Sequence, residues 1–362
     1  MSIRKRLFNF NAGPATLPLP VLEEASRGVL EIGNSGMSIL EVSHRAEPYE
    51  SIHAETKVKL LRILGVDPTK FTVLFLGGGA SLQFLTLPTN YLSKGETADY
   101  VHTGEWSAKA MKEAKPFGTV HLAASSEADK FASIPKDIKV SANSRYLHLT
   151  TNNTIEGTQF STIPNAGPVP LVADFSSEFL SRSLDYSKFS LMYSGAQKNL
   201  GPAGVTVVVI RNDFLAQAKE DLPAMLSYKQ QAKADSLYNT PPVFSIYVVG
   251  LVLKWIESEG GIAKVAARNR RKAEVIYSAL EEFPDIYDIV VKNKEDRSDM
   301  NLTFRVKPEA REKDFLNGAT AKGMEGLKGH RSVGGLRASI YNAFPEEGAV
   351  ALAQYLREFA RK

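Results

Sequence analysis

Between residues 71 and 210 the sequence carries strand-length runs that are apolar nearly throughout, at 71–76, 169–175 and 205–210. A strand with one wet face alternates apolar and polar residues, whereas a strand covered on both faces reads as a continuous apolar run. Residues 99–103, 145–150 and 189–193 supply further strands. Helix-like stretches at 81–92 and 106–115 stand among them. This pattern predicts a large, mostly parallel α/β sheet with helices packed on it.

The flanking regions read differently. Residues 18–32 and 48–64 predict helices, stopped by Gly33-Asn34 and capped by Gly65. Long helices are predicted at 243–257 and 262–281, broken apart by Gly260-Gly261. Beyond them come strands at 286–291 and 301–306, a helix at 309–321, a strand at 336–341 and a helix from Pro345. That last helix aligns Leu352, Tyr355, Leu356 and Phe359 on one face. The expected division is therefore an N-terminal segment plus large domain over 1–257, and a small α+β domain over 258–362. A length of 362 residues suits two domains at about 150 residues each.

Composition removes several classes of function. There is no Cys, which excludes disulfides, a thiolate nucleophile and Cys-ligated metal. No metal is expected. Lys and Arg exceed Asp and Glu by only 44 − 40 = +4, short of a nucleic-acid binder's basic footprint but compatible with small anions. The most apolar segment, 243–256, contains Ser245, Tyr247 and Lys254 and is too short to span a bilayer. With no export signal in the N-terminal residues, cytoplasm is the expected compartment. The basic run Arg268-Asn269-Arg270-Arg271-Lys272 predicts a solvated helix face.

Three features point to chemistry. Gly77-Gly78-Gly79-Ala80-Ser81 follows a strand and opens a helix, where backbone N–H groups and the helix dipole favour phosphate. A tight turn needing positive φ explains the same glycines, and both readings stand at this point. Lys198 lies among small residues (Ser194-Gly195-Ala196-Gln197-Lys198-Asn199-Leu200-Gly201) between two apolar strands. Most lysines are solvated, but apolar walls here favour a lowered pKa and a nucleophilic amine. Asp174 ends an apolar strand, at the sheet edge where ligands bind. It suits either a helix cap or a partner for a pyridinium nitrogen. A phosphate cradle, an amine and a strand-end carboxylate together are the parts that pyridoxal 5′-phosphate requires. Trp106 suits ring stacking or core filling.

The motifs Asn9-Phe10-Asn11-Ala12-Gly13-Pro14, Ser43-His44-Arg45, Asp174-Phe175-Ser176-Ser177, Gln197-Lys198-Asn199-Leu200-Gly201-Pro202-Ala203-Gly204 and the stretch from Lys328 to Asn342 resemble the phosphoserine aminotransferase family. The resemblance runs from about residue 8 to the C-terminus. It implies the fold-type I, aspartate-aminotransferase-like architecture of class V aminotransferases, a homodimer with shared active sites, and pyridoxal phosphate carried on Lys198. By the same resemblance Asp174 meets the ring nitrogen, Trp106 stacks on the ring and Thr154 lies near its polar edge. Ala80 and Ser81 hold the phosphate, with Gln197 beside it and Asn239 and Thr240 reaching it from the other subunit. Arg337 grips the substrate α-carboxylate, while His44, Arg45, His330 and Arg331 meet the substrate phosphate or distal carboxylate. Some family members carry Arg where Ser81 stands and Ser where Ala12 stands. Without that Arg, more of the phosphate's binding falls to backbone N–H groups and to the partner's residues.

The implied activity is reversible amino transfer between L-glutamate and 3-phosphohydroxypyruvate, giving 2-oxoglutarate and O-phospho-L-serine in serine biosynthesis. The family is also linked to the equivalent step on a phosphorylated hydroxythreonine in pyridoxine biosynthesis. Two rivals are an alanine–glyoxylate type of transfer on the same fold and a non-catalytic phosphate-ligand binder. Cysteine desulfurisation is disfavoured by the missing Cys.

Overall fold

The computed structural model describes residues 6–362; residues 1–5 of the N-terminal segment lie outside it. The strands in chain order are β1 (Phe8–Asn9), β2 (Phe71–Leu76), β3 (Thr97–His102), β4 (Thr119–Ser125), β5 (Leu147–Thr150), β6 (Leu171–Asp174), β7 (Leu191–Gly195), β8 (Thr206–Arg211), β9 (Tyr287–Ile289), β10 (Asn301–Val306), β11 (Met324–Glu325) and β12 (Leu336–Ser339). The helices are α1 (Leu19–Leu30), α2 (Glu47–Leu64), α3 (Gly79–Tyr91), α4 (Glu105–Ala114), α5 (Asn212–Leu215), α6 (Tyr228–Lys233), α7 (Val243–Ser258), α8 (Gly261–Glu281), α9 (Glu312–Ala321) and α10 (Glu346–Ala360).

Seven strands form the large sheet in the order β2-β8-β7-β6-β5-β3-β4. Only β8 runs against its neighbours, so the sheet is mostly parallel as the apolar runs predict. Those runs are explained by cover on both faces. Val73, Phe75, Leu171, Ala173, Val207 and Val209 enter one cluster with α1, α2 and α7. Leu74, Val172, Val208 and Ile210 enter the other with α3 and α4. Each fully buried Val, Leu or Ile contributes about 1.5–3 kcal/mol relative to exposure. The edge strand β4 has no counterpart in the sequence reading. Its residues are mostly half-buried and carry no clean alternation.

A second, antiparallel sheet of order β12-β10-β9 packs against α8, α9 and α10 through Leu302, Phe304, Ile276, Phe315 and Leu356. The chain's beginning joins this region: β1 pairs in parallel with β11, and Phe10 is buried in the same cluster. The segment after β1 then crosses towards β7, where the Ala15 N–H donates to the Gln197 carbonyl at 2.9 Å. Tyr341 Oη donates to the Ala12 carbonyl at 2.8 Å.

The basic run of α8 departs from the predicted solvated face. Arg270 and Arg271 are exposed, but Asn269 and Lys272 are buried at 1% exposure. Lys272 Nζ donates to the carbonyls of Ile340, Tyr341 and Phe344 at 2.9, 2.7 and 3.1 Å. Carbonyls just beyond the end of β12, which no local helix rule registers, draw this cation inside.

Candidate active site

The C-terminal edge of the large sheet gathers the chemistry-bearing residues. Behind β2, Gly78 adopts φ 82° and caps α3. A Cβ at that position would strike Leu82, so the turn needs glycine for both its conformation and its space. The N–H groups of the first helical turn have no acceptor within the helix and face outward with the dipole. Ala80 and Ser81 stand in that turn.

Behind β6, the buried Asp174 carboxylate accepts the Ser176 N–H at 2.8 Å. Burial pushes its pKa up, while Ser176 and the Lys198 amine pull it down. Behind β7, the chain turns through Ala196 and Gln197 to Lys198. Lys198 Nζ donates to Thr154 Oγ1 at 2.6 Å. Burial lowers its pKa to about 8, opposed by Asp174 and reinforced by Arg337. Trp106 opens α4 behind β3, with its ring centroid 5.8 Å from the same amine. Its Nε1 and Thr150 Oγ1 are buried without partners among the described residues.

Ala80, Ser81, Trp106, Thr154, Asp174, Gln197 and Lys198 all line one cavity of about 270 Å³. Thr150, Asn152, Ser176 and Ser177 line it too, although the sequence singled out none of them as a site residue. Asn152 Nδ2 donates to Ser177 Oγ and to Asn301 Oδ1, both at 2.8 Å, tying the cavity floor to the second sheet. The donor set fits pyridoxal phosphate: a helix N-terminus for the phosphate, a buried carboxylate for a cationic ring nitrogen, an amine of lowered pKa and an indole face. The unpartnered indole N–H and threonine hydroxyl mark places for ligand atoms.

Arg337, on β12, donates from Nη1 to the Thr154 carbonyl at 3.2 Å, and its Nε is buried without a partner. It lines a second cavity of about 610 Å³ together with His330 and Glu156. His330 Nδ1 lies 2.7 Å from Ser332 Oγ. Burial lowers the His330 pKa, with Arg337 and Arg331 adding to the effect. Arg331 itself is exposed and borders neither cavity.

Four more predicted residues stand apart. His44 is half-buried with Nε2 unpartnered, and Arg45 is exposed. Asn239 and Thr240 are exposed; Asn239 Nδ2 donates to the Thr240 carbonyl at 3.0 Å. None of the four borders the two cavities.

Residues 7–352 match the aminotransferase class-V family. A phosphoserine aminotransferase of Niallia circulans is 52% identical over 359 residues, covering 99% of each chain. A solved structure of phosphoserine aminotransferase from Bacillus circulans subsp. alkalophilus superposes with a TM-score of 0.96 at 52% identity, again covering 99% of each chain. A solved pyridoxal-phosphate-bound phosphoserine aminotransferase of Trichomonas vaginalis gives a TM-score of 0.91 at 38% identity, covering 97% of this chain and 100% of its own.

Proposed function

The chain belongs to the class-V aminotransferase family, and from that premise we propose that it catalyses reversible amino transfer between L-glutamate and 3-phosphohydroxypyruvate. The products are 2-oxoglutarate and O-phospho-L-serine, in serine biosynthesis, and the cofactor is pyridoxal 5′-phosphate. The carrying observation is the meeting of Lys198, Asp174 and Trp106 on one cavity, with Arg337 tied to the same Thr154 that receives the lysine amine.

Bound there, pyridoxal phosphate supplies the electron sink that stabilises negative charge at the substrate α-carbon. Lys198 holds it, and the freed amine moves the α-proton as general base and acid. In the cofactor-free chain burial already lowers this amine's pKa to about 8, towards the range that suits a proton-transfer group. Asp174 keeps a proton on the ring nitrogen, and its burial strengthens that ion pair. Trp106 covers the ring and excludes water. Ala80 and Ser81, with Gln197, hold the phosphate at the start of α3. Arg337 takes the α-carboxylate in its fork. His44, Arg45, His330 and Arg331 receive the distal carboxylate of glutamate or the phosphate of the keto acid.

In this proposal the chain works as a homodimer with shared sites. His44, Arg45, Asn239 and Thr240 lie outside the cavities of their own chain, and the apolar Leu30, Met37, Leu40, Met225 and Tyr238 are exposed. Asn239 and Thr240 then complete the phosphate site of the partner. The division at residue 258 belongs to the proposal as well, supported by a separate core cluster over residues 273–359 that Phe10 joins. A cytoplasmic location follows from the substrates, whose charges keep them from crossing a bilayer unaided. No helix among the described residues is long and apolar enough to cross a membrane. The parallel step on a phosphorylated hydroxythreonine is a further part of the reading, supported by the same phosphate and carboxylate sites.

The test is an assay of the purified protein with glutamate and 3-phosphohydroxypyruvate against pyruvate and glyoxylate. Preference for the phosphorylated acid is expected; equal turnover of glyoxylate would favour the alanine–glyoxylate type of transfer. A visible absorbance band, lost on borohydride reduction, separates the enzyme from a non-catalytic phosphate binder.

A further inference from the structure

Glu156 is a buried acid that the reaction above leaves unused. It lies in the bend after β5 at 5% exposure. Its Oε1 accepts the backbone N–H of Glu105 at 2.8 Å, at the first residue of α4. Its Oε2 is buried without a partner among the described residues. Gly104 can lie against this carboxylate only because it has no side chain, since a Cβ there would collide with the carboxyl group. Thr303 Oγ1 donates to the Glu156 carbonyl at 2.9 Å and anchors the bend to β10.

The position of this acid matters more than its burial. Two residues before it, Thr154 binds the Lys198 amine and Arg337. Two residues after Gly104 comes Trp106. Glu156 and Arg337 line the same cavity of about 610 Å³; burial pushes the Glu156 pKa up, and Arg337, though not in direct contact, pulls it down. The Arg337 Nε and the Glu156 Oε2 are both buried and both unpartnered. A buried polar atom without a partner is costly, and opposite charges in one cavity wall offset part of that cost.

We propose that Glu156 is a positioning residue for the amino transfer. One carboxylate oxygen fixes the start of the helix that carries Trp106. The other keeps a resident negative charge beside Arg337, which an incoming substrate α-carboxylate must overcome. The inference rests on Arg337 being the α-carboxylate fork. The resident charge weakens the hold on every acidic substrate alike and eases product release. A helix cap alone would need only an acceptor at Oε1 and would leave substrate affinity untouched.

Glu156→Gln keeps that acceptor and removes the charge. In the holoenzyme its KM for glutamate and for 3-phosphohydroxypyruvate should both fall, roughly three- to tenfold, without a rise in kcat. The inhibition constant of 2-oxoglutarate should fall with them. Glu156→Ala removes the acceptor as well and should shift the Trp106 emission, read in the full-length holoenzyme in a Trp255→Phe background, whereas Glu156→Gln should not. Arg337→Lys is the control. If it raises both KM values while Glu156→Gln leaves them unchanged or raised, the inference on Glu156 is overturned and the Arg337 assignment stands. If Arg337→Lys leaves both KM values unchanged, both are overturned. An unshifted Trp106 emission in Glu156→Ala overturns the helix-fixing role. Should Glu156→Ala not fold, the KM values of Glu156→Gln decide alone.

Discussion

Lys198 Nζ lies 2.6 Å from Thr154 Oγ1, so the amine is held by a neutral hydroxyl and not by a carboxylate. An ion pair would raise the lysine pKa; here burial dominates and lowers it to about 8 from the ordinary 10.5. In the cofactor-free chain the folded state therefore binds fewer protons than the unfolded state between pH 8 and 10.5. Stability then rises with pH across that window, and below about 8 the penalty is fully present, at most ~3 kcal/mol. Lys198→Met should abolish turnover, keep the fold and flatten this slope. Urea midpoints of both proteins from pH 7 to 10.5 check it; parallel curves would refute the lowered pKa.

Arg337→Lys replaces a planar fork with a point charge on a flexible stem. The contact with the Thr154 carbonyl and the bidentate hold on an α-carboxylate are both weakened. KM should rise about tenfold for both glutamate and 3-phosphohydroxypyruvate, since both carry that group. Steady-state kinetics with each substrate varied in turn decide it. A rise for only one of them would move Arg337 to the distal group.

Asp174→Asn keeps the acceptor for the Ser176 N–H at nearly the same shape and removes the negative charge. Folding stability should hold or rise slightly near neutral pH, because burial raises the carboxyl pKa and so penalises the charged form that Asn lacks. The rate should drop by roughly 10²–10⁴-fold, the range for losing a positioned proton-holding group. A kcat within a factor of a few of the wild type would remove Asp174 from the ring nitrogen.

What the sequence exposes about this site depends on how local each cause is. Lys198 and Asp174 are legible because a strand end and a run of small residues between apolar strands are features of a few consecutive positions. Glu156 is not, since a Glu in a polar turn reads as solvated until Glu105, about fifty positions earlier, is seen to cap against it. Asn152 is hidden for the same reason, with its partner Asn301 on the other sheet. His44, Arg45, Asn239 and Thr240 carry no local signal of function, and resemblance alone singles them out. Within the fold, the apolar strands of the large sheet announce themselves, whereas β4 and the pairing of β1 with β11 depend on neighbours far along the chain.

Lys272 marks the limit of the charge-run rule. Its ammonium serves three carbonyls beyond β12, so Lys272→Met takes a donor from each, and only that of Tyr341 keeps the Phe344 N–H in its place. Each unsatisfied group costs about 1–3 kcal/mol, partly recovered by the apolar replacement. A loss of roughly 2–4 kcal/mol in chemical denaturation is expected. Arg271→Met, at an exposed position of the same run, should cost within about 0.5 kcal/mol. Equal losses for the two would mean that Lys272 is solvated after all.

Arg45 tests the shared site directly. It is exposed in its own chain and borders neither cavity, so within a single chain Arg45→Ala should be silent. If it instead completes the partner's substrate pocket, Arg45→Ala homodimers lose affinity for the phosphorylated keto acid in both sites, and Lys198→Ala homodimers are inactive in both. Mixing the two by unfolding and refolding creates dimers in which one site has lost both residues and the other has kept both. One site of each mixed dimer, about a quarter of all sites on random reassociation of equal amounts, should then regain wild-type KM. Activity that stays at the sum of the two parents would place Arg45 outside the partner's site and leave each chain to bind its substrate with His330 and Arg337 alone.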